Sequence, residues 1–223
     1  MIPRILALDT TAEFGSIALV AGDETVSEVL LHSTEGFGHL LFGRLAETLA
    51  SAGWKLEQID CFAAAAGPGS FTGVRIGLAA VKGLAEALGK PAVAVSNLEA
   101  IAWHGTAPLR ATLLDARRGE IYGAVYGADL DLVSPEVVTE LPQWLDTLPD
   151  GDLEFLSTEI APFRAALAGT RFEKAAARDV PRALAGAIAH IAGARFRAGT
   201  AAAPAALDAN YVRRSDAELF WRE

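Results

Sequence analysis

Residues 5–31 read ILALDTTAEFGSIALVAGDETVSEVLL, and residues 111–138 read ATLLDARRGEIYGAVYGADLDLVSPEVV. The two stretches follow one plan. Each opens on an apolar run closed by Leu-Asp, at Leu8-Asp9 and at Leu114-Asp115. Each continues through a short polar turn, a second apolar stretch, a glycine-aspartate turn and a third strand-like run. Gly22 lies 13 residues beyond Asp9, and Gly127 lies 12 beyond Asp115. In the first copy the strands fall at 5–8, 16–20 and 25–31, with the breakers TTAEFG and Gly22-Asp23 where hairpins need them. Agreement in order and spacing reads as a duplicated unit, so the chain is an α/β protein of two lobes, each with its own mixed sheet flanked by helices.

The rest of the chain fills in that plan. Leu41, Leu45 and Leu49 are four apart in HLLFGRLAETLASAG, the spacing of an amphipathic helix, with Gly53 as its C-terminal stop. CFAAAA is a short buried strand, PAVAVSN another, and LEAIAWHG a short helix. The boundary between lobes falls near 105–108, giving an N-terminal lobe at 1–105 and a smaller C-terminal lobe at 106–223. The second lobe adds a helix around 141–147, a strand in DLEFLS, a helix around 160–168 and a longer helix over 182–197, with Pro181 suited to its first turn. The tail from Gly199 reads as loosely packed or as a contact segment.

Composition sets outer limits. The 223 residues are 52% hydrophobic and 21% charged, enough for a sizeable core and too apolar for disorder. No apolar run approaches the roughly 18 to 20 residues of a membrane span, and the N-terminus lacks the pattern of a secretory signal, so a cytoplasmic location is expected. Cys61 is the sole cysteine, which excludes an intramolecular disulfide, and it sits in an apolar run as a small buried hydrophobe. A net charge of −9 repels a polyphosphate backbone, so the chain is a poor nucleic-acid binder by itself, while a complex could supply the positive charge.

Residues 67–77, GPGSFTGVRIG, are the densest motif. Gly67, Pro68 and Gly69 turn the chain sharply out of a strand, and Ser70 is placed to cap the helix that follows, which runs to about Leu88 and stops at Gly89. No lysine follows as in a P-loop, so the motif is not a phosphate-binding loop of that type. Beyond the first turn the polar residues of this helix are Arg75, Lys82 and Glu86, a single narrow stripe, so the helix must be covered on more than one side. Gly73 and Gly77 leave a groove that either another helix or the chain's own core can fill, offsetting the roughly 1 kcal/mol that each mid-helix glycine costs.

Two β-rich lobes, each opened by a strand ending in aspartate, resemble the actin-like and sugar-kinase ATPases. GPGSFTGVRIG, together with LALDTT, DARRGEIYGAVY and the late NYVRRSDAE, resembles more narrowly the TsaB (YeaZ-type) family of glycoprotease-like proteins. The resemblance implies a duplicated actin-like fold in a non-catalytic scaffold subunit of the bacterial machinery that makes N6-threonylcarbamoyladenosine at adenosine 37 of tRNA. It implies a catalytic partner, TsaD, docked through the helices around 39–52 and 70–88. TsaE would bind the assembled pair, tRNA would be reached only through the complex, and the chain alone would form a homodimer. The residues expected at the TsaD interface are Leu41, Leu45, Leu49, Phe71, Gly73, Val74, Arg75, Ile76, Gly77 and Leu78.

A catalytic set is not expected. The four histidines, His32, His39, His104 and His190, form no HxxxH pair, so neither a metal nor another cofactor is called for. No GxSxG elbow is present. Asp9, Thr10 and Thr11 mark a candidate vestigial nucleotide pocket, but Glu13 and Phe14 stand where a phosphate would need small side chains. The expected role of Asp9 is to hydrogen-bond its own turn. An ATP-dependent small-molecule kinase and a metal-dependent peptidase are the alternatives on the same fold.

Overall fold

In a computed structural model, residues 2–213 are described; of NYVRRSDAE, residues 214–218 lie outside them. The first three strands are β1 (Arg4–Asp9), β2 (Phe14–Ala21) and β3 (Glu24–His32). Helix α1 (Leu41–Ser51) leads to β4 (Cys61–Ala65), helix α2 (Phe71–Leu88), β5 (Ala92–Val95) and helix α3 (Asn97–Ala102). The second set is β6 (Leu109–Arg117), β7 (Glu120–Gly127), β8 (Leu132–Glu140), α4 (Leu141–Thr147), β9 (Leu153–Ser157), α5 (Ala161–Leu167) and β10 (Ala176–Asp179), followed by α6 (Ala185–Arg197). The duplication holds strand for strand. One sheet has the order β3-β2-β1-β4-β5 and the other β8-β7-β6-β9-β10, with the same antiparallel and parallel pairings at matching positions.

The chain divides into two compact units, Met1–Ala100 with Arg182–Asn210, and Ile101–Pro181 with Tyr211–Glu223. This differs from a cut at 105. The cause is α6, whose residues from Ala185 to Ala189 and from Ile191 to Gly193 are buried, so it is apolar on nearly all sides and covers β1, β2, β4 and β5. It begins at Ala185 rather than at 182, and Pro181 therefore lies ahead of the first turn. Its opening N–H groups are satisfied by the sheet: Leu184 and Ala185 donate to Ser16 Oγ (3.1 and 2.9 Å), and Gly186 donates to Glu28 Oε1 (2.7 Å).

Covering by helices on both faces explains why β1 is a continuous apolar run. Leu6 and Leu8 point with Ile17, Leu19, Phe62 and Ala64 into a core shared with α1 and α2. Ile5 points the other way, to Gly193 of α6. The segment after Gly199 is not loose within the described residues. Ala202 and Ala92 exchange backbone hydrogen bonds at the edge of β5, Leu207 is buried, and Asn210 donates to Ala66 O.

In the second unit, Ala111, Leu113, Ile121, Val125 and Phe155 pack against Leu141, Trp144 and Leu145 of α4 and Phe163 and Leu167 of α5. Strand β10 has no counterpart in the sequence reading. Its four residues, AARD, lack the apolar pattern of a strand and form an edge. The buried Glu154 of β9 accepts from Thr106 and Ala107 N–H and from Arg178 Nε (3.2 Å), fixing the backbone just before β6.

Candidate functional site

The motif at 67–77 is built onto the first turn of the chain. Ser70 caps α2 by accepting from Gly73 N–H (3.3 Å), while its own N–H donates to Thr11 O (2.6 Å). Gly69, Gly73 and Gly77, spaced by four, form one face, and that face lies on Thr10 and Thr11. A Cβ at Gly69 would fall 2.6 Å from Thr11 O, one at Gly77 would fall 2.7 Å from Thr10 Oγ1, and one at Gly73 would run into the Thr10 carbonyl closer still. Thr10 Oγ1 also donates to Gly73 O (2.7 Å). The groove of Gly73 and Gly77 is thus filled by the chain's own first turn and is not left open for a partner helix.

Asp9 organises that turn from below. Its Oδ1 accepts from Thr11 N–H (2.9 Å) and Thr11 Oγ1 (2.6 Å), and Asn97 Nδ2 donates to the same hydroxyl (2.7 Å). Asn97 in turn is locked to Gly67: its Oδ1 accepts from Gly67 N–H (3.1 Å), and its N–H donates to Gly67 O (2.8 Å). Burial pushes the Asp9 carboxyl above its ordinary range, opposed by the hydrogen bonds from Thr11 and Asn97. In the second unit Asp115 makes the matching bond, accepting from Arg117 N–H (2.7 Å).

The rest of the turn is filled with side chains. Glu13 pairs with His32 (2.6 Å), Phe14 stacks on His32 at 4.7 Å, and the Arg182 guanidinium lies 4.5 Å from the Phe14 ring. Both threonine hydroxyls are engaged as donors, Thr10 to the Gly73 carbonyl and Thr11 to the Asp9 carboxyl, and neither has a histidine as its acceptor. Among the described residues no group of three or more His, Cys, Asp or Glu side chains could hold a metal ion, and no helix is long and apolar enough to cross a membrane.

The expected interface residues fall into two sets. Leu41, Leu45 and Leu49 (1%, 3% and 8% exposed), together with Val74 and Leu78, belong to the core of the first unit. The four-residue spacing that marked the leucines as a face marks the face turned inward. Phe71 is 40% exposed, Arg75 is exposed with its guanidinium 3.6 Å over the Phe71 ring, and Ile76 is half-buried. Sequence reasoning missed Phe42, which is 57% exposed. Its signal was available: it is the large apolar residue of α1 that breaks the Leu41-Leu45-Leu49 series.

Two sheets of identical strand order, each led by a strand with an aspartate at or near its end, Asp9 in β1 and Asp115 in β6, define a duplicated actin-like α/β protein. At 10% identity, component A of Acidaminococcus fermentans (R)-2-hydroxyglutaryl-CoA dehydratase shares this fold with a TM-score of 0.53 over 87% of the chain and 99% of its own. YeaZ from Pseudomonas aeruginosa is nearer, with a TM-score of 0.78 and 26% identity over 94% of the chain and 100% of its own. The family model described as TsaD, tRNA N6-adenosine threonylcarbamoyltransferase, matches residues 39–209. The Bacillus subtilis tRNA threonylcarbamoyladenosine biosynthesis protein TsaB is 33% identical over 153 residues, spanning 66% of this chain and 67% of its own length. Its Escherichia coli namesake is 35% identical over 156 residues, spanning 64% and 67%. The chain belongs to the TsaB (YeaZ-type) family, within the wider glycoprotease-like group that the TsaD model describes.

Proposed function

We propose that this chain takes part in forming threonylcarbamoyladenosine in tRNA as a non-catalytic subunit that docks the transferase TsaD. The observation that carries the docking is the outward face of α1 and α2. With their leucines and valines committed inward, these helices turn Phe42 and Phe71 to solvent, 57% and 40% exposed. On the same helices Gly43 and Gly83 have nothing within 4 Å of where a side chain would begin, and Ala46 and Ala79 are exposed, alongside the charged Arg44, Glu47, Arg75 and Glu86. Two large exposed apolar side chains with charged residues beside them are a pattern that a partner protein buries. The contact residues are therefore Phe42, Phe71, Arg75 and Ile76, with the buried leucines and Gly73 setting their positions. A second copy of the chain covers the same face when TsaD is absent, TsaE joins the assembled pair, tRNA is reached through the complex, and the whole acts in the cytoplasm.

Family membership supports the pathway, and depletion tests it. Cells depleted of this protein but retaining TsaD should lose most threonylcarbamoyladenosine from bulk tRNA, as quantified by mass spectrometry of nucleosides. An unchanged level would remove the chain from the pathway. Docking is tested separately by Phe42→Glu and Phe71→Glu, which alter exposed positions and leave the fold intact. Each should abolish co-purification with TsaD, and undiminished co-purification of both variants would exclude this face.

A further inference from the structure

The two units treat the turn after their first strand in opposite ways. In the first unit the leading residues of that turn are bonded inward, with Thr10 and Thr11 each 2% exposed, and Ala12 and Glu13 reach solvent. In the second unit the matching turn carries Arg117, Arg118 and Gly119 with φ of 66°, 58° and 81°. The described residues include three non-glycine residues at positive φ, and two of them are these adjacent arginines. Glycine adopts this conformation without strain, whereas an arginine there is disfavoured by its Cβ. A turn that only reversed the chain would be better built from glycine or asparagine. The arginines therefore account for themselves through their side chains.

Both arginines are exposed residues on an acidic protein. The Arg117 side chain is 86% exposed, and its ion pair is with Asp115 Oδ2 at 3.4 Å, a carboxylate itself 55% exposed. Such a pair is weak and gives way to a stronger anion. Asp115 is further engaged, because its Oδ1 accepts from Arg117 N–H. The base of the turn is braced: Arg213 donates to Ala116 O (2.9 Å) and to the Glu120 carboxylate, with its guanidinium 5.8 Å from the Tyr122 ring. Glu120 is thereby neutralised, and the turn is held in place for a ligand to meet.

We propose that the Arg117–Arg118 turn is a phosphate contact that grips the sugar–phosphate backbone of RNA when the chain sits in its complex. The proposal rests on the role in tRNA modification argued above. Guanidinium groups match phosphate oxygens in a bidentate fork, and contacts of this kind position RNA without reading its bases. Two cations on a chain of net charge −9 add to the affinity of an assembly and do not create it alone.

The test compares the wild-type complex with TsaD against complexes carrying Arg117→Gly with Arg118→Gly, or Arg117→Lys with Arg118→Lys. The glycine pair removes both guanidinium groups while relieving the backbone, so a binding loss cannot be ascribed to unfolding. Filter binding of bulk tRNA across a potassium chloride series is the readout. The glycine pair should weaken binding roughly tenfold at about 0.1 M salt and reduce the slope of log affinity against log salt by about 2, and the lysine pair should keep most of the slope. Wild-type affinity and slope in the glycine pair overturn the proposal. So does a glycine pair that loses TsaD and not tRNA, which makes the turn a protein contact, and so does a wild-type complex without affinity for tRNA. The pathway role stands or falls separately, on the nucleoside measurement in depleted cells.

Discussion

Asp9 and Glu154 are two buried carboxylates with opposite responses to pH. Burial raises the Asp9 carboxyl, with hydrogen bonds as a partial offset. A raised folded-state value means that the stability linked to Asp9 is present below the unfolded value and is lost as pH rises through the folded one. Asp9→Asn keeps an acceptor for Thr11 N–H and Oγ1 without the charge. Its melting temperature should match wild type in acid and exceed it at neutral pH. Equal melting at both pH values would mean that Asp9 carries no ionisation penalty. At Glu154 burial also pushes upward, but the N–H groups of Ala107 and Thr106 and the Arg178 guanidinium outweigh it and lower the carboxyl. Its contribution is present at neutral pH and lost as pH falls through the folded value. Glu154→Gln should therefore destabilise by about 2 kcal/mol at pH 7, with the deficit shrinking in acid. A pH-independent deficit in chemical denaturation would refute the ionic account. The sequence announced the Asp9 turn, because aspartate bonding two residues ahead is a local event. Glu154 was invisible there, since its partners lie 24 and about 47 residues away.

Within single elements, α2 offers an internal control. Gly73 and Gly83 sit in the same helix, one against the Thr10 backbone and the other in open space. Gly73→Ala forces backbone apart and should cost about 2 to 4 kcal/mol. Gly83→Ala only removes the flexibility of a mid-helix glycine and should stabilise by about 0.5 to 1 kcal/mol. Equal effects in thermal melts would disprove the close contact with the first turn. Helix α6 depends on the sheet for its start, so Ser16→Ala should cost about 1 to 2 kcal/mol by orphaning the N–H groups of Leu184 and Ala185. A melting temperature within error of wild type would show that other acceptors replace the hydroxyl. Periodicity located α1, α2 and α4 because each is amphipathic or cleanly bounded. It could not assign the inward glycine face of α2 to Thr10, nor find β10, since neither carries a repeating apolar signal. Of the candidate site, the motif was legible and its direction was not: four-residue spacing identifies a face without saying what the face meets.

For the molecule as a whole, duplication was the most legible feature, because strand order follows from repeated local pattern. The division into units was not, because it depends on where a late helix returns. Cys61 reports on that packing. It is fully buried in β4, and burial, with Asp60 nearby, pushes its thiol up to about 12. Native protein at pH 8 should resist thiol reagents until the first unit opens, so the labelling rate measures that opening. Fast labelling without denaturant would contradict the core as described.

The return of α6 also fixes an order of events on the ribosome. All strands of the first sheet have been translated by Val95, yet the helix that covers one of its faces ends only at Arg197. At about 5 to 20 residues per second, that face is complete in sequence and bare of cover for roughly ten seconds. During that interval the nascent chain displays an apolar sheet face that nothing in its own sequence yet covers, a surface open to aggregation until α6 emerges.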